Sequence, residues 1–377
     1  MITLSAPRQG FPRDGAGHDR PVHNTVMNAL TTLLGIKHPL IQAPMAGVQG
    51  AALAIAVSRT GALGSLPCAM LAPEAITHAL QATQDAAAGY VNVNFFCHAP
   101  PAPDDAREAR WREALAPFYA EAGLDIASVV AGAGRVPFSH AIADLIEPFR
   151  PPIVSFHFGL PAPDLLARVK AWGSQVLASA TTVNEARWLQ AHGADAVIAQ
   201  GLEAGGHRGM FLSEDITTQV GTLALVPQIV AAVNLPVIAA GGIADAQGVR
   251  AAMALGASGV QVGTAYLCSD EATTSPIHRS ALQSPAALHT ALTNVFSGRP
   301  ARGIVNRVIR ELGAMCPSAP PFPTATAAMA PLRAHWEARG SGDFSPLWSG
   351  QNASGCRSAP AADITAALLQ GFDPCMS

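Results

Sequence analysis

The chain has 377 residues, 49% hydrophobic and 13% charged, with a formal net charge of −3. That balance excludes a disordered polymer and leaves no basic field to attract nucleic acid or anionic lipid. Six cysteines (Cys68, Cys97, Cys268, Cys316, Cys356, Cys375) form no C-x-x-C pair, so neither a zinc site nor a disulfide scaffold is expected and no metal is assigned. No run reaches the roughly 20 apolar residues of a membrane span and no secretory signal is evident, so the expectation is a cytoplasmic protein acting on a small molecule. Without such a signal, Asn352-Ala353-Ser354 reads as a chance match to a glycosylation acceptor.

Residues 1–26 mix Gly, Pro, Arg and His without apolar periodicity and read as a disordered leader, with Met27 a candidate start ahead of the helix-like NALTTLLG. From residue 39, short β-rich runs alternate with Ala-rich helical runs, the pattern of parallel strands joined by helical crossovers. Strands are expected at 39–45, 62–66, 90–96, 152–158, 175–180, 196–200, 236–241 and 259–265. Helices are expected at 50–59, 73–88, 163–172, 182–192, 222–234 and 245–255, with Gly193 and Gly256 as C-terminal caps. Eight such units predict a (β/α)8 TIM-type barrel over residues 27–310. An open doubly wound sheet would want a G-x-G-x-x-G turn where the first strand instead ends in Ala43-Pro44-Met45-Ala46-Gly47. The connection 97–151 breaks the rhythm with DDAREARWREALAPFYAEAG and a second helical run near 139–149, which predicts a helical insertion over the barrel mouth. Beyond residue 310 the Pro-rich CPSAPPFPTAT leads into helices at 327–339 and 360–370, so 311–377 reads as a linker and small helical cap.

The stretch 235–267 reads strand, glycine turn, helix, strand, glycine turn. At the ends of the seventh and eighth barrel strands, Gly241-Gly242 and Gly263-Thr264 offer backbone N–H groups, a hydroxyl and a helix N-terminus to a phosphate, without any metal. The loop Gln200–Gly209 (QGLEAGGHRG) follows the sixth strand and brings an amide, an acid, an imidazole and a guanidinium beside backbone that could press against a flat ligand. His157 ends the fourth strand, either as a proton-exchanging group or as a satisfied core histidine. Asn92 and Asn94 share one side of the third strand, where a buried amide needs a partner in the barrel or on a cofactor. Met45, after Ala43 and Pro44, either lies against a flat ring or fills core space.

Seven segments in order, IQAPMAG (41–47), NVNFF (92–96), SFHFG (155–159), QGLEAGGHRG (200–209), AAGGIAD (239–245), QVGTAYL (261–267) and FSGRPARGIVNR (296–307), resemble the nitronate monooxygenase family, formerly 2-nitropropane dioxygenases, and more narrowly its class I. The resemblance implies an FMN enzyme that oxidises alkyl nitronates, propionate 3-nitronate above all, with dioxygen to a carbonyl compound and nitrite, a detoxification. It implies FMN contacts at Asn94, Gln200, Gly205, Gly242, Gln261, Val262, Gly263 and Thr264, beside Ala43, Pro44 and Met45. His157 is then the first catalytic candidate, orienting or neutralising the nitro group rather than serving as an indispensable base, and His207 is the second. The partners implied are the nitronate and dioxygen; a homodimer is compatible, and the oligomeric state stays open.

A flavin reductase using NAD(P)H on quinones or enoyl-acyl-carrier-protein would share the Gln-Ala-Pro-Met, Gly-Gly-His and Ala-Gly-Gly-Ile signatures, whereas SFHFG and FSGRPARG favour the monooxygenase. A non-catalytic phosphate-ligand binder would not need the polar loops at the strand ends. An inosinate dehydrogenase-like barrel would need a nucleophilic cysteine after the sixth strand, and Cys268 follows the eighth.

Overall fold

The computed structural model describes residues 28–129 and 135–372; the leader, the candidate start at Met27 and Cys375 lie outside them. Eight parallel strands run β1 (Leu40–Gln42), β2 (Gly64–Pro67), β3 (Val91–Phe96), β4 (Ile153–His157), β5 (Gln175–Ala180), β6 (Ala196–Gln200), β7 (Val237–Ala240) and β8 (Gly259–Val262). Their spatial order follows the chain, with β8 beside β1. The parallel bridge Ile41↔Leu63 joins β1 to β2, through Leu63 N–H to Leu40 O at 2.9 Å and Gln42 N–H to Leu63 O at 2.8 Å. The sheet therefore closes, and the expected (β/α)8 barrel is what the chain forms.

Strand alternation sorts the side chains into two storeys. Ile41, Leu63, Ile153, Leu177, Ile198 and Ile238 fill the lower interior, where Leu30 and Leu34 of the short helix Ala29–Leu34 join them. Burying each leucine contributes roughly 1.5–3 kcal/mol. Asn28 caps that helix through Leu30 N–H and donates from Nδ2 to Ser258 O at 2.9 Å, fixing the plug to the barrel floor. Above the apolar layer the interior turns polar with Ser65, Asn92, Asn94, Ser155, His157, Ser179 and Gln200. Alternate residues such as Val93, Val154, Val176, Val197, Val237 and Val260 face outward into the helix layer.

The insertion and part of the tail make one side lobe. Helix Asp105–Ala122 buries Trp111, Leu115, Phe118 and Tyr119 against Met329 and Leu332 of helix Thr326–Glu337. Two long-range bonds tie the pair together: Tyr119 Oη donates to Ala328 O at 2.7 Å and Trp111 Nε1 to Ala325 O at 3.3 Å. The last helix, Ala361–Leu369, leaves this lobe and packs Ala361, Ile364 and Leu368 into the barrel's own helix layer, touching helices Ala51–Arg59 and Ala246–Ala254. The expected cap over 311–377 thus divides, because the apolar stripe of its final helix matches the gap left in the ring after β8. Three strands that the sequence did not announce, Gly206–His207, Thr290–Thr293 and Ala301–Ile304, form a small antiparallel sheet beside the mouth.

Candidate active site

The C-terminal ends of the barrel strands converge on a cavity with roughly 1390 Å³ of atom-free space, counting its open mouth. At one end β7 runs into Gly241 and Gly242, whose φ values of 113° and 75° suit glycine and turn the backbone inward. Beside it, β8 ends at Gly263, where a Cβ would stand 3.3 Å from Ala43 Cβ and 3.6 Å from Met45 Sδ. A strap from the tail lies across this end. Gly350 N–H donates to Thr264 Oγ1 at 2.9 Å and Asn352 Nδ2 to Gly242 O at 3.2 Å. Gly205 is a glycine for the same reason: a Cβ there would sit 2.6 Å from Gly350 N.

Amides line the middle of the cavity. Asn94 Nδ2 donates to Ser155 Oγ at 2.9 Å. Gln200 Nε2 donates to His207 O at 2.9 Å while its Oε1 accepts from Gly209 N–H at 2.7 Å, so one side chain pins both sides of the loop. Gln261 faces the cavity with a buried Oε1 that has no partner among the described residues. Asn92 bonds to Ser65 Oγ at 3.0 Å and lies deeper. Val262 turns its side chain into the outer core, so of the expected contacts it is the one whose side chain is absent from the cavity wall, while Ala43, Pro44, Met45, Asn94, Gln200, Gly205, Gly242, Gln261, Gly263 and Thr264 all line it.

The other end is aromatic and holds both histidines. His157 Nε2 faces His207 O at 3.2 Å, and a carbonyl only accepts, so Nε2 carries the proton. Nδ1 of the neutral ring then accepts from Ser179 Oγ at 3.0 Å. Burial, aided by Arg299 and Arg208, pushes His157 down to about 3. His207 bonds through Nε2 to Ser297 Oγ at 2.8 Å, and burial followed by Arg135, His157, Arg299 and His98 holds it well below the usual imidazole range. Both rings are neutral at pH 7. The turn after β4 is strained, since Phe158 adopts φ 70°, at a cost of about 1–2 kcal/mol. Its ring packs 5.0 Å from Phe96 and 5.4 Å from Phe322, with the Arg299 guanidinium 4.1 Å above it.

Sequence reasoning missed Arg135, Ser155, Ser179, Trp348, Gly350 and Asn352, which also line the cavity. Inward alternation along β4 and β5 could have found the two serines. Cys268 is buried among Leu267, Leu282 and Ile304, with Cys356 against it, away from the cavity wall.

A family model described as nitronate monooxygenase matches residues 27–371. The chain belongs to the nitronate monooxygenase family. The nitronate monooxygenase of Pseudomonas aeruginosa is 43% identical over 345 residues, spanning 90% of this chain and 97% of that one. The Paraburkholderia phytofirmans nitronate monooxygenase is 40% identical over 351 residues, covering 91% and 94%. Among solved structures, nitroalkane oxidase from Streptomyces ansochromogenes superposes with a TM-score of 0.82 at 36% identity, over 91% of this chain and 99% of that one. FabK from Thermotoga maritima gives 0.69 at 27%, over 92% and 96%. This nitronate monooxygenase family member is therefore an oxidoreductase on a TIM-type barrel. Among the described residues no helix is long and apolar enough to cross a membrane, and no group of three or more His, Cys, Asp or Glu could hold a metal ion.

Proposed function

We propose that the enzyme oxidises alkyl nitronates, propionate 3-nitronate among them, with dioxygen on a bound FMN, releasing a carbonyl compound and nitrite. The observation that carries this reading is the lack of a strong base. No described carboxylate lines the cavity, His157 has both ring nitrogens engaged, and burial holds His207 well below the usual imidazole range. A neutral nitroalkane would need its α-proton removed, whereas a nitronate arrives already as the anion.

The residues fit FMN. The glycine turns and Thr264 form a phosphate cradle, and the unpartnered Oε1 of Gln261 is an acceptor awaiting a ring N–H. Gly242, Gly263 and Thr264 would hold the phosphate, with Asn94, Gln200, Gln261 and Met45 along the ring. FMN supplies the electron acceptor and the site of reaction with oxygen. Among the protein groups, His207 lines the cavity and its Nδ1 has no partner among the described residues, so His207 is assigned to touch the substrate. His157 lines the cavity too, but both its ring nitrogens are engaged, so it is assigned as a positioning residue that holds the His207 carbonyl. The sequence suggested the opposite order.

The test is oxygen uptake and nitrite release by FMN-replete protein on propionate 3-nitronate, beside NAD(P)H alone. Uptake on the nitronate only is expected. Oxidation of NAD(P)H with the nitronate inert would overturn the reading in favour of a reductase.

A further inference from the structure

Arg135 is a half-buried cation that pairs with no described carboxylate. It lines the wall of the candidate active site, its Nη1 is buried with no hydrogen-bond partner among the described residues, and none of the ion pairs among those residues includes it. Burial draws the guanidinium down to about 10, still charged at pH 7. A charged group left in this state is costly unless something of opposite sign completes it. No described Asp or Glu lines this cavity, and Asp104, Asp105 and Glu108 on the wall of the adjoining one form no ion pair with it.

Its position indicates which part of a ligand it meets. Arg135 and His207 both stand against Phe322, 5.0 Å from the guanidinium and 5.4 Å from the imidazole ring. Arg135 also lines an adjoining cavity between the insertion and the tail, together with Ala69 and Met70. It therefore sits where the two cavities meet, sharing one aromatic neighbour with His207, so a ligand whose reacting end meets His207 can turn its other end toward the guanidinium.

We infer that Arg135 is a specificity-determining residue that binds a carboxylate on the distal end of the substrate, selecting nitronates with an anionic tail over those with an alkyl tail. The inference rests on the nitronate reading above. A planar guanidinium donates two parallel N–H groups to a carboxylate, and the Phe322 ring lies 5.0 Å from this one.

The experiment compares kcat/KM for propionate 3-nitronate and for propyl-1-nitronate, equal in chain length except for the carboxylate, in the native holoenzyme, Arg135→Gln and Arg135→Lys. Native enzyme favours the carboxylated substrate. Arg135→Gln is expected to lower the ratio by roughly 10–100-fold, the loss of a charged hydrogen bond, mainly through KM, and Arg135→Lys to restore part of it. Flavin absorbance and melting temperature report whether each variant keeps its fold. A ratio unchanged in Arg135→Gln, whether both activities fall together or neither falls, overturns the assignment. Failure of the native enzyme on both nitronates would instead sink the nitronate reading.

Discussion

Replacing Gly205 with alanine separates crowding from backbone strain at the phosphate end of the cavity. The new Cβ would stand 2.6 Å from both Gly350 N and Ser349 C. These are backbone atoms, so the strap has to retreat by most of an ångström and the 2.9 Å bond from Gly350 N–H to Thr264 Oγ1 breaks. Overpacking of this kind costs about 1–3 kcal/mol and the lost bond about 0.5–1.5 more. With an unfolding entropy of about 2.1 cal/mol/K per residue, that predicts a melting temperature lower by about 2–6 °C. FMN retention, read as the flavin-to-protein ratio after gel filtration, is expected to fall with it. Gly206 is the control. Its φ is 71° but nothing lies within 4 Å of an added Cβ, so Gly206→Ala carries only the left-handed penalty of about 1–2 kcal/mol. Thr264→Val, which removes the acceptor, should add little to Gly205→Ala because the two changes break one bond. Full additivity of their losses, or a Gly205→Ala protein as stable and as flavin-loaded as the native one, would refute the reasoning.

Two further outcomes follow from buried polar groups. His157 is pushed down to about 3 and His278 to about 4, burial being the main cause in both. Between those values and the ordinary 6.5 the unfolded chain binds more protons than the folded one. Stability is thus fully present above about pH 6.5 and falls as the pH drops, by about 1.4 kcal/mol per pH unit for each group; a melting temperature flat from pH 7 to pH 5 would contradict this. Glu185, 1% exposed, accepts from Thr181 N–H and Oγ at 2.7 Å each, from Phe211 N–H at 2.6 Å and from Leu212 N–H at 3.3 Å. Glu185→Gln sets an amide donor among donors and should cost roughly 2–4 kcal/mol, seen as a lower urea midpoint with unchanged slope.

The barrel was legible because its strands carry a local period. Val91, Val93 and Phe95 alternate with Asn92, Asn94 and Phe96, and Gly241-Gly242 and Gly263 mark the ends of β7 and β8. What stayed hidden depends on contacts distant in sequence. The loop after β6 reads as flexible from its glycines, yet Gly206–His207 pairs with Ala301–Ile304, almost a hundred residues later. Trp348, Gly350 and Asn352 lie in a segment with no periodicity and enter the site only because the tail folds back over Thr264. The order proposed for the two histidines rests on which way hydrogen bonds point, which a sequence does not display: His157 engages a carbonyl and a serine supplied from other strands.

The late arrival of the eighth helix has a consequence in time. Ala361–Leu369 fills the ring beside β8, and Tyr266 Oη meets Thr365 Oγ1 at 2.9 Å across 99 residues of chain. During synthesis the first seven units can collapse while this groove is still bare, its apolar floor uncovered until residues 361–369 have been made. Contacts of such long sequence separation form slowly, and apolar surface left open meanwhile is a site for aggregation. A stop codon ahead of Trp348 would therefore remove both the strap over Gly242 and Thr264 and the helix that seals the barrel, leaving an incomplete ring rather than a smaller enzyme.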